Sequence, residues 1–268
     1  MSEKLYHYTS LNTALKYIIP SGKLRLGRIE YTNDPRETKE WRLSIRLSGD
    51  VNDVPFEELQ RRFNMEKRKA RLLCFSQNQS EFLEDDAPAF SHYKILREGY
   101  CRLRMWANYA ENHKGICLEF DKELLISSIN EQLCGKGVLY NDPVKYTNYS
   151  TENIISTSFD LKEIQTEGLD KVIDRHLSEF YRHVFFEKLL DWRDEAEYRF
   201  LHIPVDQDGD TYVDITNALT NIYVGINYDY SNNKELMEIL DKVKYPILDE
   251  PKQLHIRNSQ PHIAPLIF

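Results

Sequence analysis

The chain lacks the short motifs of several common enzyme chemistries. It contains no glycine–lysine phosphate loop, no GxGxxG, no GxSxG and no HExxH. These absences argue against a P-loop nucleotidase, a Rossmann-type dinucleotide site, an α/β-hydrolase and a zincin metalloprotease. Any catalytic site must therefore be assembled from residues that lie apart in the sequence.

Cysteine and histidine are also too scattered to predict a disulfide framework or a metal centre. The four cysteines (74, 101, 117 and 134) show no CxxC spacing, and the first three lie in or beside apolar runs that predict buried thiols. His176 and His183 are seven residues apart on a predicted helix, where a plain helix face is the preferred interpretation over a metal pair. We expect no metal.

Long apolar runs are missing, and so is a net positive charge. No run approaches about 18 apolar residues and no apolar leader opens the chain, so we expect a cytoplasmic protein with no membrane partner. A net charge of −8 argues against nucleic-acid affinity over the whole surface. The basic stretch RRFNMEKRKAR (61–71) predicts a solvated helix face.

The patterns that are present predict an α+β fold. LYHYT and KLRLG alternate like strands and flank a helix that Ser10 caps and Pro20 with Gly22 ends. A long amphipathic helix is predicted over 160–190, and strand-like runs occur early and late in the chain without regular βαβ alternation. We expect one domain over residues 1–268, with a possible boundary near 148–160.

The densest group of charges is KLLDWRDEAEYRF (188–200). A strand starting near Arg193 would place Arg193, Glu195, Glu197 and Arg199 on one face and apolar residues on the other. Such a stripe is either a half-exposed strand with surface ion pairs or a carboxylate site that polarises a hydroxyl or stabilises a cationic transition state. Taken alone, the ion-pair interpretation is favoured.

Two further segments hold chemistry-bearing side chains. In MWANYAENHKG the spacing of Trp106, Tyr109 and His113 predicts one helix face, which is more often core than a cofactor site. In YTNDPRE the residues Asp34 and Glu37 lie in a predicted tight turn, and turn chemistry alone would account for them.

Five blocks in one order resemble a bacterial domain-of-unknown-function family. They are YHYTS, NDPRE, CFS, MWANYAENHKGICLEF and K-x3-W-x2-E-x-E-Y-R, and the resemblance spans about residues 5–226. Membership in such a family implies no activity.

The opening LYHYTSLNTALKYIIPSGKLRLG also resembles the first elements of ADP-ribosyltransferases. This resemblance implies a mixed or antiparallel split sheet flanked by helices, with NAD as substrate. It implies that His7, with Tyr8 and Thr9, anchors the NAD ribose. It also implies that Tyr31 or Tyr109 packs on nicotinamide. Glu197, with Glu195, would polarise a ribose hydroxyl. Ser76 resembles a strand-end hydroxyl of that fold, and Arg199 would orient the carboxylates or contact a phosphate. Further pocket positions would be Asn33, Asp34, Glu37, Trp106 and Lys114.

The resemblance thus predicts an enzyme that binds NAD and transfers ADP-ribose to protein, nucleic acid or water, in a bacterial toxin or phage-defence setting. Two alternatives stay open. The same residues could form a structural polar network in a non-catalytic module that binds a nucleotide or a protein. They could also form a Mg²⁺-dependent hydrolase or nuclease site from Asp34, Glu37, Glu195 and Glu197.

Overall fold

The computed structural model describes residues 3–48, 54–79, 95–148, 153–205 and 209–267. Their strands are β1 (Lys4–Thr9), β2 (Lys23–Arg28), β3 (Ser44–Arg46), β4 (Arg71–Gln77), β5 (Ile116–Asp121), β6 (Gly137–Pro143), β7 (Lys145–Tyr146), β8 (Ser158–Asp160), β9 (Glu187–Lys188), β10 (Glu197–Pro204), β11 (Thr211–Asp214), β12 (Leu219–Val224), β13 (Lys252–Arg257) and β14 (Gln260–Pro265).

The α-helices of the same ranges are α1 (Leu11–Thr13), α2 (Ile19–Ser21), α3 (Pro35–Thr38), α4 (Phe56–Arg68), α5 (Leu103–Tyr109), α6 (Lys122–Leu133), α7 (Asn153–Ser156), α8 (Leu161–Glu167), α9 (Leu169–Glu179), α10 (Tyr181–Phe185) and α11 (Asn233–Lys242). A π-helical turn, Ala14–Ile18, joins α1 to α2. Along the described ranges, no helix is both long and apolar enough to cross a membrane.

One mixed, mostly antiparallel sheet organises the protein. Its order is β11–β2–β4–β1–β5–β12–β13–β14, with β10 on the other edge of β4 and β6 beyond β10. Within it, β12 and β13 run parallel, whereas the other pairs are antiparallel. The predicted α+β class is confirmed.

The sheet is split along one edge of β4. β1 pairs with Ser76 and Gln77 at the end of β4, and β2 pairs with Arg71 and Leu72 at its start. β10 lies along the opposite edge from Arg71 to Ser76. In the described register, Leu73–Phe75 therefore have a strand partner only on the β10 side, and a gap opens between β1 and β2.

Three apolar clusters surround this gap. The largest contains Phe75 and packs residues of the helical segment 11–21, α6 and α11 against the sheet. A second, which includes Phe63 of α4, is built from α4, α8, α9 and α10. The third places Trp106 of α5 against Tyr8 of β1, with ring centroids 5.2 Å apart.

Several sequence-based expectations for the helices were wrong. The predicted helix over 160–190 is three helices, because Gly168 adopts a φ of +85° between α8 and α9 and Phe180 leaves helical geometry before α10. The basic helix α4 is not wholly solvated, because Lys67 is buried and its Nζ donates to the Glu37 carbonyl at 2.6 Å. The possible boundary at 148–160 falls partly on residues 149–152, which lie outside the described ranges.

The predicted strand start near Arg193 was also wrong. Residues Leu190–Glu195 form a 3-10 turn, and Ala196 follows in the left-handed region with a φ of 44°. Only then does β10 begin, at Glu197. Glu195 reaches the site through this turn rather than through strand alternation, and Arg193 lies on the exposed side.

A left-handed turn ends α5 and fixes the end of that helix. Glu111, Asn112 and His113 all have positive φ, so His113 does not continue the helix face of Trp106 and Tyr109 as expected. Gly225 permits the turn, since a Cβ there would lie 2.0 Å from the His113 carbonyl oxygen.

We therefore predict that Gly225→Ala destabilises the protein by about 1–3 kcal/mol, because the backbone must shift to relieve that overlap. Denaturant unfolding measures the change. Gly27→Ala is the matched control, because its Cβ would meet the Leu72 carbonyl oxygen at an ordinary 3.8 Å. Equal stabilities for the two variants would contradict this account of the turn.

Candidate functional site

A cavity of about 250 Å³ opens at the gap in the sheet. It is lined by β1, the loop before α3, α3 itself, β4, α5, β9, the turn that leads into β10, and β10. The lining residues are Tyr6, His7, Tyr8, Tyr31, Thr32, Asn33, Glu37, Cys74, Phe75, Ser76, Met105, Tyr109, Lys188, Glu195, Glu197 and Arg199.

Arg199 is the centre of a buried ionic cluster on one wall. Its Nε and Nη2 donate to the two carboxylate oxygens of Glu197, each at 2.8 Å, and its Nη1 donates to the Phe185 carbonyl at 2.5 Å. The Glu37 Oε1 atom lies 2.7 Å from Nη2. Because Arg199 is fully buried, these partners are what make its charge tolerable in the interior.

Lys188 joins the two glutamates of the EAE segment. Its Nζ lies 2.7 Å from Glu195 Oε2 and 2.9 Å from Glu197 Oε2. The Tyr109 hydroxyl donates to Glu195 Oε1 at 2.5 Å and in turn accepts from Asn33 Nδ2. Residues from three distant segments thereby hold the Glu195 carboxylate at the cavity.

The two glutamates titrate in opposite directions. Burial, with the nearby Glu197 charge, raises the pKa of Glu195 above its usual value. Burial would raise the pKa of Glu197 too, but the charges of Arg199 and Lys188 outweigh it and hold that pKa far below the usual range. Glu197 is therefore a fixed anion, whereas Glu195 takes up a proton at a higher pH than a free glutamate does.

The first-strand histidine lies in the same cavity as a neutral ring. Burial lowers the pKa of His7. Its Nδ1 is 3.0 Å from the Cys74 carbonyl, and because a carbonyl only accepts, Nδ1 carries the proton. The neutral ring therefore keeps its lone pair on Nε2.

A second cavity, of about 350 Å³, adjoins the first across His7, Tyr31, Thr32 and Cys74. Its charged lining is Arg25 and Arg28 of β2 with Asp210. Asp210 lies 3.3 Å from Arg25, whereas the nearest carboxylate oxygen paired with Arg28 is that of Glu30, at 3.5 Å. These pairs are exposed and weak, so both guanidinium groups can bind an anion.

The charge of the cleft thus changes along its length. The lining of the first cavity holds three carboxylates (Glu37, Glu195 and Glu197) against two cations (Lys188 and Arg199). The second holds two arginines against one aspartate. Among the described residues, no group of three or more His, Cys, Asp or Glu side chains is placed to hold a metal ion.

Comparison with known proteins identifies part of the chain. Residues 105–200 match the family model DUF2971, a protein of unknown function. The expected resemblance to a domain-of-unknown-function family is thereby confirmed for residues 105–200, whereas no match supports the resemblance to ADP-ribosyltransferases. No curated protein and no solved structure matches the chain. The DUF2971 match runs from α5 into β10 and so includes Tyr109, Lys188, Glu195, Glu197 and Arg199.

Most of the residues expected at a site line the first cavity. They are His7, Tyr8, Tyr31, Asn33, Glu37, Ser76, Tyr109, Glu195, Glu197 and Arg199. The Ser76 side chain is bonded to the backbone, since its Oγ donates a hydrogen bond to the Glu195 carbonyl at 2.7 Å. Tyr31 is 78% exposed, which places it at the rim rather than inside.

Four expected residues lie elsewhere. Thr9 is buried where β1 pairs with Ile116 of β5, and Asp34 caps α3 by accepting from the Arg36 amide at 2.8 Å. Trp106 is fully buried behind Tyr8, with its Nε1 donating to the Tyr100 carbonyl. Lys114 is exposed beyond the left-handed turn. These residues support the cleft or lie outside it.

Lys188 is the main residue of the first cavity that sequence reasoning missed. It opens the K-x3-W-x2-E-x-E-Y-R block of the DUF2971 region, so a signal was present. Its role follows from β9, a two-residue strand that pairs with β7 and delivers the side chain to both glutamates. Local residue propensities do not distinguish the two residues of β9 from the end of the helix that was predicted over 160–190.

We predict that Arg199→Met destabilises the protein by about 3–5 kcal/mol, because Glu37 and Glu197 would be left as buried charges without their shared cation. Denaturant unfolding at neutral pH measures this. Arg175→Met is the matched control, since Arg175 pairs with Glu163 and Glu167 on the surface and its loss should cost less than about 1 kcal/mol. Similar losses in the two variants would show that the buried cluster is not a stability determinant.

Proposed function

We propose that the cleft binds NAD and cleaves the bond between nicotinamide and ribose, passing ADP-ribose to an acceptor or to water. The observation that carries the proposal is the Glu195 carboxylate, held by Lys188 and Tyr109 in a cavity that continues into an arginine-lined one.

The change of charge along the cleft supports this ligand class. NAD carries a positive charge on its pyridinium ring and negative charges on its pyrophosphate. An excess of carboxylates suits the pyridinium end, and Arg25 with Arg28 suits the phosphates. The side chains of Tyr8 and Tyr109 add aromatic lining beside the carboxylates.

The chemistry needs no nucleophilic side chain. The bond between ribose C1′ and the pyridinium nitrogen breaks, and its electron pair neutralises the ring nitrogen as nicotinamide leaves. Positive charge then develops on the ribose, where an anionic Glu195 stabilises it. The acceptor oxygen or nitrogen bonds to C1′ and its proton passes to Glu195 or to solvent.

Glu195 fits this role better than Glu197, the first choice from the sequence. Both Glu197 oxygens already accept from Arg199, and Lys188 contacts one of them. Glu197 therefore has a structural role: its negative charge holds the side chains of Lys188 and Arg199 in place. The acceptor could be protein, nucleic acid or water, and a bacterial toxin or phage-defence setting would suit such chemistry.

A non-catalytic nucleotide-binding module is the second candidate. The pairing of both carboxylates favours it, because Glu197 accepts from Arg199 while Glu195 accepts from Tyr109 and Lys188. Fully paired carboxylates stabilise the fold without chemistry. Binding of NAD without release of nicotinamide would decide for this candidate.

We predict that Glu195→Gln lowers nicotinamide release by about 100-fold or more, while NAD affinity changes little. The wild-type acidic limb of kcat/KM should lie above pH 4.5, because the protonated Glu195 cannot stabilise the ribose charge and its pKa is raised from 4.5. Chromatographic assay of nicotinamide across pH 4–9 measures both effects. Glu163→Gln, on the surface beside Arg175, is the control. Unchanged release in Glu195→Gln would remove the proposed role.

We also predict that Arg28→Gln weakens NAD binding about tenfold, since a charged hydrogen bond to the pyrophosphate is lost. Binding of free nicotinamide should be unchanged because that ring occupies the other cavity. Calorimetric titration compares the two ligands, with Arg61→Gln on the surface of α4 as control. Equal NAD affinity in the wild type and Arg28→Gln would place the phosphates elsewhere.

A further inference from the structure

Glu37 has a carboxylate oxygen that the protein leaves without a donor. The residue is 4% exposed and lines the first cavity. Among the residues that the structure describes, neither oxygen accepts a hydrogen bond, but Oε1 forms an ion pair with Arg199 Nη2 at 2.7 Å, whereas Oε2 has no such cation beside it. A buried acceptor without a donor is destabilising, so this atom points to a donor supplied by a ligand.

The position of Glu37 is fixed from two sides. Asp34 caps the start of α3, and Lys67 donates to the carbonyls of Glu37 and Lys39 at 2.6 and 3.1 Å. Together with the ion pair to Arg199, these bonds hold the carboxylate at the inner wall. A donor on the ligand would therefore meet a preset acceptor, which favours selectivity.

The ligand end that reaches this wall is the base, if the phosphates lie at Arg25 and Arg28 as proposed. A nicotinamide ring carries a carboxamide, whose N–H groups can donate to Glu37 Oε2. A nicotinic acid ring carries a carboxylate at the same place, which has no donor and would be repelled by Glu37. A buried acceptor can discriminate strongly between two ligands, because the ligand that lacks a donor leaves the acceptor without a hydrogen bond.

We propose that Glu37 is the specificity residue of the cleft, accepting a hydrogen bond from the carboxamide of the base and so selecting amide over acid dinucleotides. This inference rests on the proposed function. It assigns to the NDPRE segment a role that turn chemistry alone does not supply.

Calorimetric titration with NAD and with nicotinic acid adenine dinucleotide tests it. The wild type should bind NAD at least about tenfold more tightly. In Glu37→Gln the preference should fall to near unity, because a side-chain amide can donate to the carboxylate as well as accept from the amide. Glu40→Gln, which changes an exposed glutamate paired with Arg68, should keep the wild-type preference.

Each outcome bears on a different claim. Equal affinities for the two dinucleotides in the wild type would overturn the role of Glu37 but leave the proposed function standing. Binding of neither would overturn both. Circular dichroism shows whether Glu37→Gln folds. If it does not, Glu37→Asp is the second variant, because it keeps a negative charge near Arg199 but moves the carboxylate oxygens away from the ligand. It should lose part of the preference, and an undiminished preference would count against Glu37.

Discussion

The site depends on one buried guanidinium group. Arg199 binds Glu197 on its own strand, the Glu37 carboxylate of α3 and the Phe185 carbonyl at the end of α10. These partners come from segments about 160 residues apart in the chain. Because a buried charge is tolerated only when its partners are in place, Arg199 ties the folding of these segments to the assembly of the cleft.

The same cluster explains why two neighbouring glutamates differ. Glu197 points at Arg199 and is held as an anion, whereas the left-handed Ala196 turns Glu195 toward Tyr109 and the cavity. Lys188 lies between the two carboxylates, so it helps to keep Glu197 ionised and fixes the orientation of Glu195. A single residue in the left-handed region therefore directs one carboxylate to the buried guanidinium group and the other to the cavity.

The sequence predicted the α+β class, the first elements of the fold and part of the site. The β1–helix–β2 opening is local, since the alternation of LYHYT and the Ser10 cap act within a few residues, and both were confirmed. A shared site for His7, Glu195 and Tyr109 was implied by the resemblance to ADP-ribosyltransferases, and all three line the first cavity. Their convergence was not visible locally, because it results from the pairing of β4 with β1 and β10.

The failures have a common cause. Lys67 was predicted to lie on a solvated helix face, and no role was predicted for Lys188, yet each is buried where it meets carbonyls or carboxylates from elsewhere in the chain. Likewise, period-two alternation around residue 193 failed because a 3-10 turn precedes β10. Tertiary contacts decide such positions, and a single sequence carries little signal for them.

The most direct test of this account is a crystal structure of the protein with a non-cleavable NAD analogue. The account predicts that the nicotinamide ring lies between Glu37 and Glu195 and that the pyrophosphate lies against Arg25 and Arg28. A dinucleotide bound in the reverse orientation, or one bound outside the gap between β1 and β2, would contradict it.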